Sequence, residues 1–367
     1  MTKILIASGG SGGHIFPAIA LGRALKAQHR DVELMYVGSD KALDKRIFEK
    51  EAVNFRVLSA NKLPHKTSPG IIIVYFKLLF DIFRSFSIIL SYRPDVIAGF
   101  GGYVSFPVIF AGNILRIPSV VHEQNVVPGR ANKVLFKFAD KIALSFEATR
   151  KSLGRDADKA VFTGNPIRTE MFRDDRACDL KRFGLDAGKF TILIIGGSQG
   201  AAFLNKTFID ALSVMDPAAR SSVQVIHITG VKDYEWALKA YGQLGIDHSV
   251  HSFIDRIEEA YSAADLVVTR SGASALFELA FLGKPMILVP YPFAMSHQLD
   301  NALAFSRSGA AIVIEEKALS AEGLSEAMRG LLKDSGRLKR LGESARAMGM
   351  PEAASLLAKE MMGLTGK

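Results

Sequence analysis

The sequence of 367 residues holds a single cysteine, Cys178. One thiol forms no internal disulfide and builds no thiolate metal cluster, which excludes a stapled secreted scaffold and suits a reducing compartment. No secretory leader is read at the start: Met1-Thr2-Lys3 runs straight into Ile4-Leu5-Ile6-Ala7 and a glycine cluster, with too short an apolar core and no cleavage site. The long apolar run over residues 71–90 is interrupted by Lys77, Asp81 and Arg84. At spacings of four and three, these charges share one face of a helix, so the segment is expected to be amphipathic and not membrane-spanning. Helix-turn-helix, zinc-finger and aromatic-basic RNA motifs are missing, which makes nucleic acid the weakest partner class.

What is present can fold. Hydrophobic residues make up 49% and charged residues 23%, enough for a large core and unlike a disordered tail. At roughly 150 residues per domain, the length suggests two domains. The net charge of +9 is unevenly placed: residues 1–165 hold 23 basic and 13 acidic side chains, the remainder 23 and 24. The positive bias of the first half suits a phosphorylated substrate or an anionic membrane surface.

Short β-branched runs at 4–7, 32–37, 96–98, 119–122, 141–145, 191–195, 223–229, 266–269 and 286–289 alternate with helix-length intervals. That pattern argues for βαβ units and parallel sheets, an α/β class. The chain also echoes itself. Ile4-Leu5-Ile6-Ala7-Ser8-Gly9-Gly10 resembles Ile192-Leu193-Ile194-Ile195-Gly196-Gly197, and Pro94-Asp95-Val96-Ile97-Ala98 resembles Ala264-Asp265-Leu266-Val267-Val268. Two similar doubly wound domains facing each other across a cleft are expected. The turn Gly164-Asn165-Pro166 sets their boundary: 1–165, then 166–345, with a closing helix in 346–367 placed back on the first domain.

Three glycine clusters follow strand ends, at 9–13, 99–102 and 196–200. Glycines let backbone N–H groups approach an anion, and a following helix N-terminus adds a favourable dipole. Neither common phosphate pattern fits: a dinucleotide fingerprint needs glycine where Ile15 stands, and no Gly-Lys-Ser/Thr occurs. Three such loops point to more than one phosphorylated group, with the nucleotide itself left open. Ser271 and Gly272 would open another helix, on which Glu278 is either a bidentate ribose acceptor or a solvated carboxylate. The amides of Gln298 and Asn301 suit sugar hydroxyls, although polar helix starts are common. His122-Glu123-Gln124-Asn125 places four polar residues at a strand end and is no zincin motif, since Val126 occupies the second histidine's place. Asp156-Ala157-Asp158 lies in a charged stretch that reads as an exposed loop.

Taken in order, Gly-Gly-Ser-Gly-Gly-His at 9–14, Gly-Gly-Tyr-Val-Ser at 101–105, His-Glu-Gln-Asn at 122–125, Gly-Asn-Pro-Ile-Arg at 164–168, Gly-Gly-Ser-Gln-Gly-Ala at 196–201 and Arg-Ser-Gly-Ala at 270–273 resemble the MurG family of bacterial N-acetylglucosaminyltransferases. The resemblance runs from Met1 to about Ala302. It implies a GT-B fold and transfer of N-acetylglucosamine from UDP-N-acetylglucosamine to lipid I, giving lipid II for peptidoglycan. It further implies a peripheral place on the cytoplasmic face of the membrane, within a cell-wall synthesis complex. By position, Ser11, Gly12 and Gly13 would touch substrate, and Gly101, Gly102 and Tyr103 would hold the acceptor diphosphate. Asn125 would meet the donor sugar. Arg168, Ser198, Gln199 and Gly200 would bind the UDP diphosphate, and the Ile254 backbone would read uracil. Ala273, Ser274, Ala275, Leu276 and Phe277 would line the nucleotide, Glu278 would hold ribose, and Gln298 and Asn301 would face sugar hydroxyls. Ser11 stands where many relatives have threonine, and His297 where many have glutamine.

The implied inverting reaction needs a base for the acceptor 4-hydroxyl and stabilisation of the leaving diphosphate. His14 is the first base candidate, because it ends the glycine loop and titrates near neutrality; Glu123 is the second. Arg168 and the helix after Gly200 could take the diphosphate, so neither a metal nor another cofactor is expected. The residues 71–90 would meet the membrane through Ile72, Phe76, Leu79, Phe80 and Phe83, or simply cover the sheet. Other GT-B enzymes such as diacylglycerol glycosyltransferases, a nicotinamide oxidoreductase and a non-catalytic scaffold are the alternative readings.

Overall fold

The apolar runs become the central strands of two parallel sheets. The computed structural model describes residues 1–59, 71–172, 175–197, 200–293 and 297–366, with 71 and 72 as backbone only. It divides into one unit of Met1–Arg168 with Met350–Lys367, and a second of Thr169–Gly349.

In the first unit the strand order is β3-β2-β1-β4-β5-β6-β7. These are β1 (Thr2–Ala7), β2 (Val32–Ser39), β3 (Phe55–Leu58), β4 (Val96–Gly99), β5 (Ser119–Glu123), β6 (Lys141–Leu144) and β7 (Ala160–Phe162). Every neighbouring pair is parallel. Both faces are buried: Leu5, Ala7, Ile97, Val121 and Ile142 join one core, while Ile4, Ile6, Val96, Val120 and Ala143 join the other. Burial on two sides is why these strands read as unbroken apolar runs instead of alternating ones. The closing helix Ala353–Met362 adds Leu357, Ala358 and Met361 to the second core. Lys141 pairs with its Glu360 at 2.6 Å.

The second unit repeats the plan as β10-β9-β8-β11-β12-β13, again all parallel. Its strands are β8 (Phe190–Ile195), β9 (Val223–Ile228), β10 (His248–His251), β11 (Leu266–Thr269), β12 (Met286–Leu288) and β13 (Ala311–Val313). In both sheets the order reverses beside the first strand of the unit, between β1 and β4 and between β8 and β11. Loops at the carboxyl ends of such a strand pair diverge to opposite faces and open a ligand crevice. The glycine clusters at 9–13, 99–102 and 196–200 and the Ser271-Gly272 turn all leave these four strands.

The helix Ile71–Tyr92 corrects one expectation. Lys77 and Arg84 are exposed, but Asp81 is buried, its carboxylate accepting from Ser59 N at 2.9 Å and Ser59 Oγ at 2.8 Å. The helix therefore turns a hydrogen-bonded acid inward and aromatic side chains outward. Phe76 is 67% exposed, Phe80 61% and Phe83 71%. The side chain of Ile72 lies outside the described residues. Among the described residues no helix is long and apolar enough to cross a membrane.

Buried histidines make both units sensitive to acid. His227 sits on β9 with Nδ1 2.8 Å from the Tyr241 hydroxyl and Nε2 3.1 Å from Asn205 Oδ1, and burial lowers its pKa from 6.5 to about 3. His122 on β5 is lowered by burial to about 4. Below pH 6.5 the unfolded chain takes up protons that these folded imidazoles refuse, so stability falls with pH at roughly 1.4 kcal/mol per unit for each. Urea midpoints should drop steeply from pH 7 to about pH 4.5, and His227→Gln should flatten that slope. An unchanged slope in the variant would show that His227 does not carry this dependence.

Candidate active site

The first glycine loop is held from beneath by Asp44. Its Oδ2 accepts from Gly10 N at 2.9 Å, Ser39 N at 3.0 Å and Ser39 Oγ at 2.6 Å, and the residue is fully buried. Ser11 then caps the helix Gly12–Gln28 in extended backbone, without using its hydroxyl on the first turn. Ser11 and Gly13 are exposed, so the loop presents a hydroxyl and a helix N-terminus to solvent. The second loop closes against it. Phe100 N donates to Ala7 O at 2.9 Å, and Ser105 Oγ reaches both Ala7 O at 3.0 Å and Gly101 O at 2.7 Å.

Gly102 is the contact point. Its φ is +72°, and a Cβ there would lie 3.0 Å from Gly9 O and 3.7 Å from His14 Cδ2. Gly102→Ala therefore strains the backbone and pushes on the loop that carries His14. A cost of about 1–3 kcal/mol in stability is expected from urea melts, with a larger proportional loss of kcat than of donor affinity. A variant with wild-type kcat would dismiss this contact.

His14 stands in the first turn of the helix Gly12–Gln28 and is partly exposed, while its Nδ1 is shielded from solvent. Burial lowers its pKa below 6.5, against the opposing pull of Glu123, Gln124, the Phe100 carbonyl and Asp44. A lowered imidazole is neutral at pH 7, the form that accepts a proton. Glu123, the other base candidate, is differently placed. Its Oε1 accepts from Asn125 N at 2.9 Å and Asn125 Nδ2 at 3.1 Å, and its Oε2 from Gly129 N at 3.1 Å and Asn132 Nδ2 at 2.8 Å. With four donors on a buried carboxylate, it braces the 125–132 segment and orients Asn125. Arg168 lies with its guanidinium 4.3 Å from the Phe16 ring centroid, at the last position of the first unit's main segment. Tyr103 packs on the first unit's core. Asp156 lies in the 3-10 helix Gly154–Lys159 and not in an exposed loop, and it is partly buried and pairs with Lys159 at 3.2 Å.

In the second unit Gly197 and Gly200 both have positive φ, and a Cβ on Gly200 would collide with the Thr229 carbonyl. Only glycine lets this turn reach the N-terminus of the helix Ala202–Ser213. Ser198 and Gln199 lie outside the described residues. After β11, Gly272 caps the helix Ala273–Phe281 with no side chain, leaving a helix start that suits phosphate. Ala273, Leu276 and Phe277 are buried on it, Ser274 and Ala275 are partly exposed, and Glu278 is only 5% exposed, which removes the solvated-carboxylate alternative. Ile254, half-buried, follows the end of β10.

Gln298 and Asn301 are largely spent on shaping the turn. Gln298 Oε1 accepts from Ser271 N at 3.3 Å and Tyr291 N at 3.0 Å, and its carbonyl accepts from Ser271 Oγ at 2.7 Å. Asn301, fully buried, donates to Ser271 O at 3.2 Å. Arg270 is buried too, donating to Val289 O at 3.1 Å and Pro290 O at 3.3 Å and pairing with Glu316. Sequence reasoning assigned no role to Asp44, Gln124 or Asn132. The only signal for Gln124 was its place between Glu123 and Asn125.

Similarity to known proteins agrees with this arrangement. Residues 4–144 match the glycosyltransferase family 28 N-terminal domain, and residues 191–357 its C-terminal domain. A protein of Geobacter sulfurreducens named UDP-N-acetylglucosamine--N-acetylmuramyl-(pentapeptide) pyrophosphoryl-undecaprenol N-acetylglucosamine transferase is 37% identical, over 100% of this chain and 99% of its own. A Bacillus subtilis protein of the same name is 36% identical over 97% of both chains. The crystal structure of Acinetobacter baumannii MurG superposes with a TM-score of 0.76 at 26% identity, covering 99% of this chain and 100% of that one. A Neisseria meningitidis UDP-GlcNAc 2-epimerase bound to UDP-GlcNAc shares the fold, with a TM-score of 0.71 at 12% identity over 99% and 100% of the two chains. With two Rossmann-like units, glycine loops at both switch points and relatives matched end to end, the chain belongs to glycosyltransferase family 28.

Proposed function

We propose that this chain transfers N-acetylglucosamine from UDP-N-acetylglucosamine to the 4-hydroxyl of the N-acetylmuramyl-pentapeptide carried on pyrophosphoryl-undecaprenol, with inversion at the anomeric carbon. The substrates are those for which its full-length relatives are named. The observation that carries the chemistry is the place of His14, in the first turn of the helix that leaves the glycine loop of the first sheet's switch point, where burial pushes its pKa below 6.5.

In the proposed step the acceptor oxygen forms a bond to the anomeric carbon as the bond from that carbon to the diphosphate oxygen breaks. The hydroxyl proton passes to His14, and UDP leaves with the bonding electron pair. Ser11, Gly12, Gly13, Gly101, Gly102 and Tyr103 would hold the acceptor diphosphate, and Asn125, aligned by Glu123, would meet the donor sugar. Arg168, Ser198, Gln199 and Gly200 would receive the charge growing on UDP. The turn and helix at Ala273, Ser274, Ala275, Leu276 and Phe277, with Glu278 and the Ile254 backbone, would hold the nucleoside. Gln298 has an amide nitrogen to offer a sugar, whereas Asn301 would act through the Ser271 turn. The exposed Phe76, Phe80 and Phe83 beside Lys77 and Arg84 support a peripheral seat on an anionic membrane, where this acceptor resides.

The test is UDP release from UDP-N-acetylglucosamine with and without a short-chain lipid I analogue. Acceptor-dependent release supports the reading. Transfer to diacylglycerol in place of lipid I would move the acceptor class, and UDP binding without turnover would leave a scaffold.

A further inference from the structure

Asp44 is a fully buried carboxylate that works through one of its two oxygens. Oδ2 accepts from Gly10 N at 2.9 Å, Ser39 N at 3.0 Å and Ser39 Oγ at 2.6 Å. Oδ1 is shielded from solvent and has no hydrogen-bond partner among the described residues. Ser39 ends β2, and Asp44 stands in the first turn of the helix Ala42–Lys50, so the carboxylate ties two fixed elements to the first glycine loop. Gly10 is itself exposed, yet its N–H donates inward to this buried group, in a backbone with φ of +88° that glycine adopts without steric cost.

The same carboxylate sets how the two loops of this switch point meet. A Cβ on Gly9 would lie 2.5 Å from Asp44 Oδ2 and 2.8 Å from Val104 Cγ2, so Gly9 is wedged between the carboxylate and the helix Gly102–Ile114. The Gly9 carbonyl in turn meets Gly102, 3.0 Å from where a Cβ would stand. A negative charge beneath a loop that receives a diphosphate opposes the ligand, so attraction does not account for an acid at this place. What the acid supplies is order: three donors are held before any ligand arrives. A loop already ordered loses little further conformational entropy on binding.

We propose that Asp44 is a positioning residue for the acceptor: by holding Gly10 and wedging Gly9 against the Gly102 turn, it keeps both loops in the arrangement that receives the acceptor diphosphate. This rests on the reading that these two loops take the acceptor. Asp44 is buried and touches no substrate, so it acts through Gly9 and Gly10. Its loss therefore falls on acceptor affinity and leaves the donor groups of the second unit as they are. The rate can fall as well, because His14 follows on the same loop.

Two measurements test it. By amide NMR of the full chain at pH 7, the Gly10 N–H should exchange with solvent at least about a hundredfold more slowly than a free amide, despite the exposure of the residue. An unprotected Gly10 overturns the proposal without any variant having to fold. Asp44→Ala, which removes the accepting oxygens, should raise the KM for a short-chain lipid I analogue by about tenfold or more, while the KM for UDP-N-acetylglucosamine stays within about twofold. Asp44→Asn keeps the shape and one accepting oxygen, and should return the acceptor KM to within about threefold of wild type. A merely structural role would lower the folded fraction, and with it kcat, and leave both KM values unchanged. That result in Asp44→Ala, or an acceptor KM in Asp44→Asn as high as in Asp44→Ala, overturns the proposal. Failure of the underlying reading shows separately: a rise confined to the donor KM, with Gly10 protected in the wild type, would mean that the loop positions the donor.

Discussion

His14→Ala should lower kcat by about a hundredfold or more, with UDP affinity unchanged, when UDP release is followed with a short-chain lipid I analogue. The size follows from what the side chain would do. A general base contributes about two to four orders of magnitude, and no neighbour replaces it, because Glu123 already has both oxygens on four donors. The fold should tolerate the change, since the Asp44 contacts that hold the loop involve Gly10 and Ser39 and not His14. Wild-type kcat should also fall in acid. His14 is lowered from 6.5 by burial, so it stays neutral through pH 7 and loses its proton-accepting form only below 6.5. The profile should be flat from neutrality upward with one acidic limb, and that limb should vanish from the residual rate of His14→Ala. A variant within threefold of wild type, or an acidic limb that persists in it, would sink His14 as the base.

The nine apolar runs named from sequence all became strands, and those were the buried ones. The four unanticipated strands, β3, β7, β10 and β13, are the four sheet edges. An edge strand is covered less completely, so it needs no continuous apolar run: Phe55-Arg56-Val57-Leu58 and His248-Ser249-Val250-His251 carry polar side chains in the ladder, and β7 and β13 span three residues each. Propensity reads burial, and edges have less of it to read.

The candidate site divides in the same way. Its glycine loops were legible because positive φ and close backbone approach demand glycine, as at Gly102 and Gly200. Its supporting polar groups were not. Asp44 lies in a helix after β2 and Asn132 in a helix after β5, far from the loops they support in sequence. Each looks like any polar residue on a helix until the fold places it beneath a loop. Asp81 misled for the opposite reason: its helical spacing with Lys77 and Arg84 is real, but a hydrogen-bonded acid can be buried where two cations cannot.

Replacing Phe76, Phe80 and Phe83 together by serine should abolish association with anionic vesicles. Each ring is 61–71% exposed, an arrangement that costs free energy in water and is relieved by insertion into an interfacial layer. At about 1.5–3 kcal/mol per inserted side chain, losing three lowers partitioning by about a thousandfold even at the lower figure. The protein should stay folded, because the helix is anchored by other residues: Ile88, Ile89 and Tyr92 join the first unit's core, and Asp81 binds Ser59. Lys77→Glu with Arg84→Glu tests the electrostatic part, expected at about 1 kcal/mol per removed cation and growing weaker as salt rises. Co-sedimentation with vesicles measures both, and turnover separates binding from chemistry. The serine variant should keep its rate on a water-soluble acceptor and lose it on acceptor embedded in vesicles. Equal losses on the two acceptors would place these rings in the catalytic fold, and undiminished co-sedimentation would assign the helix face to something other than a membrane.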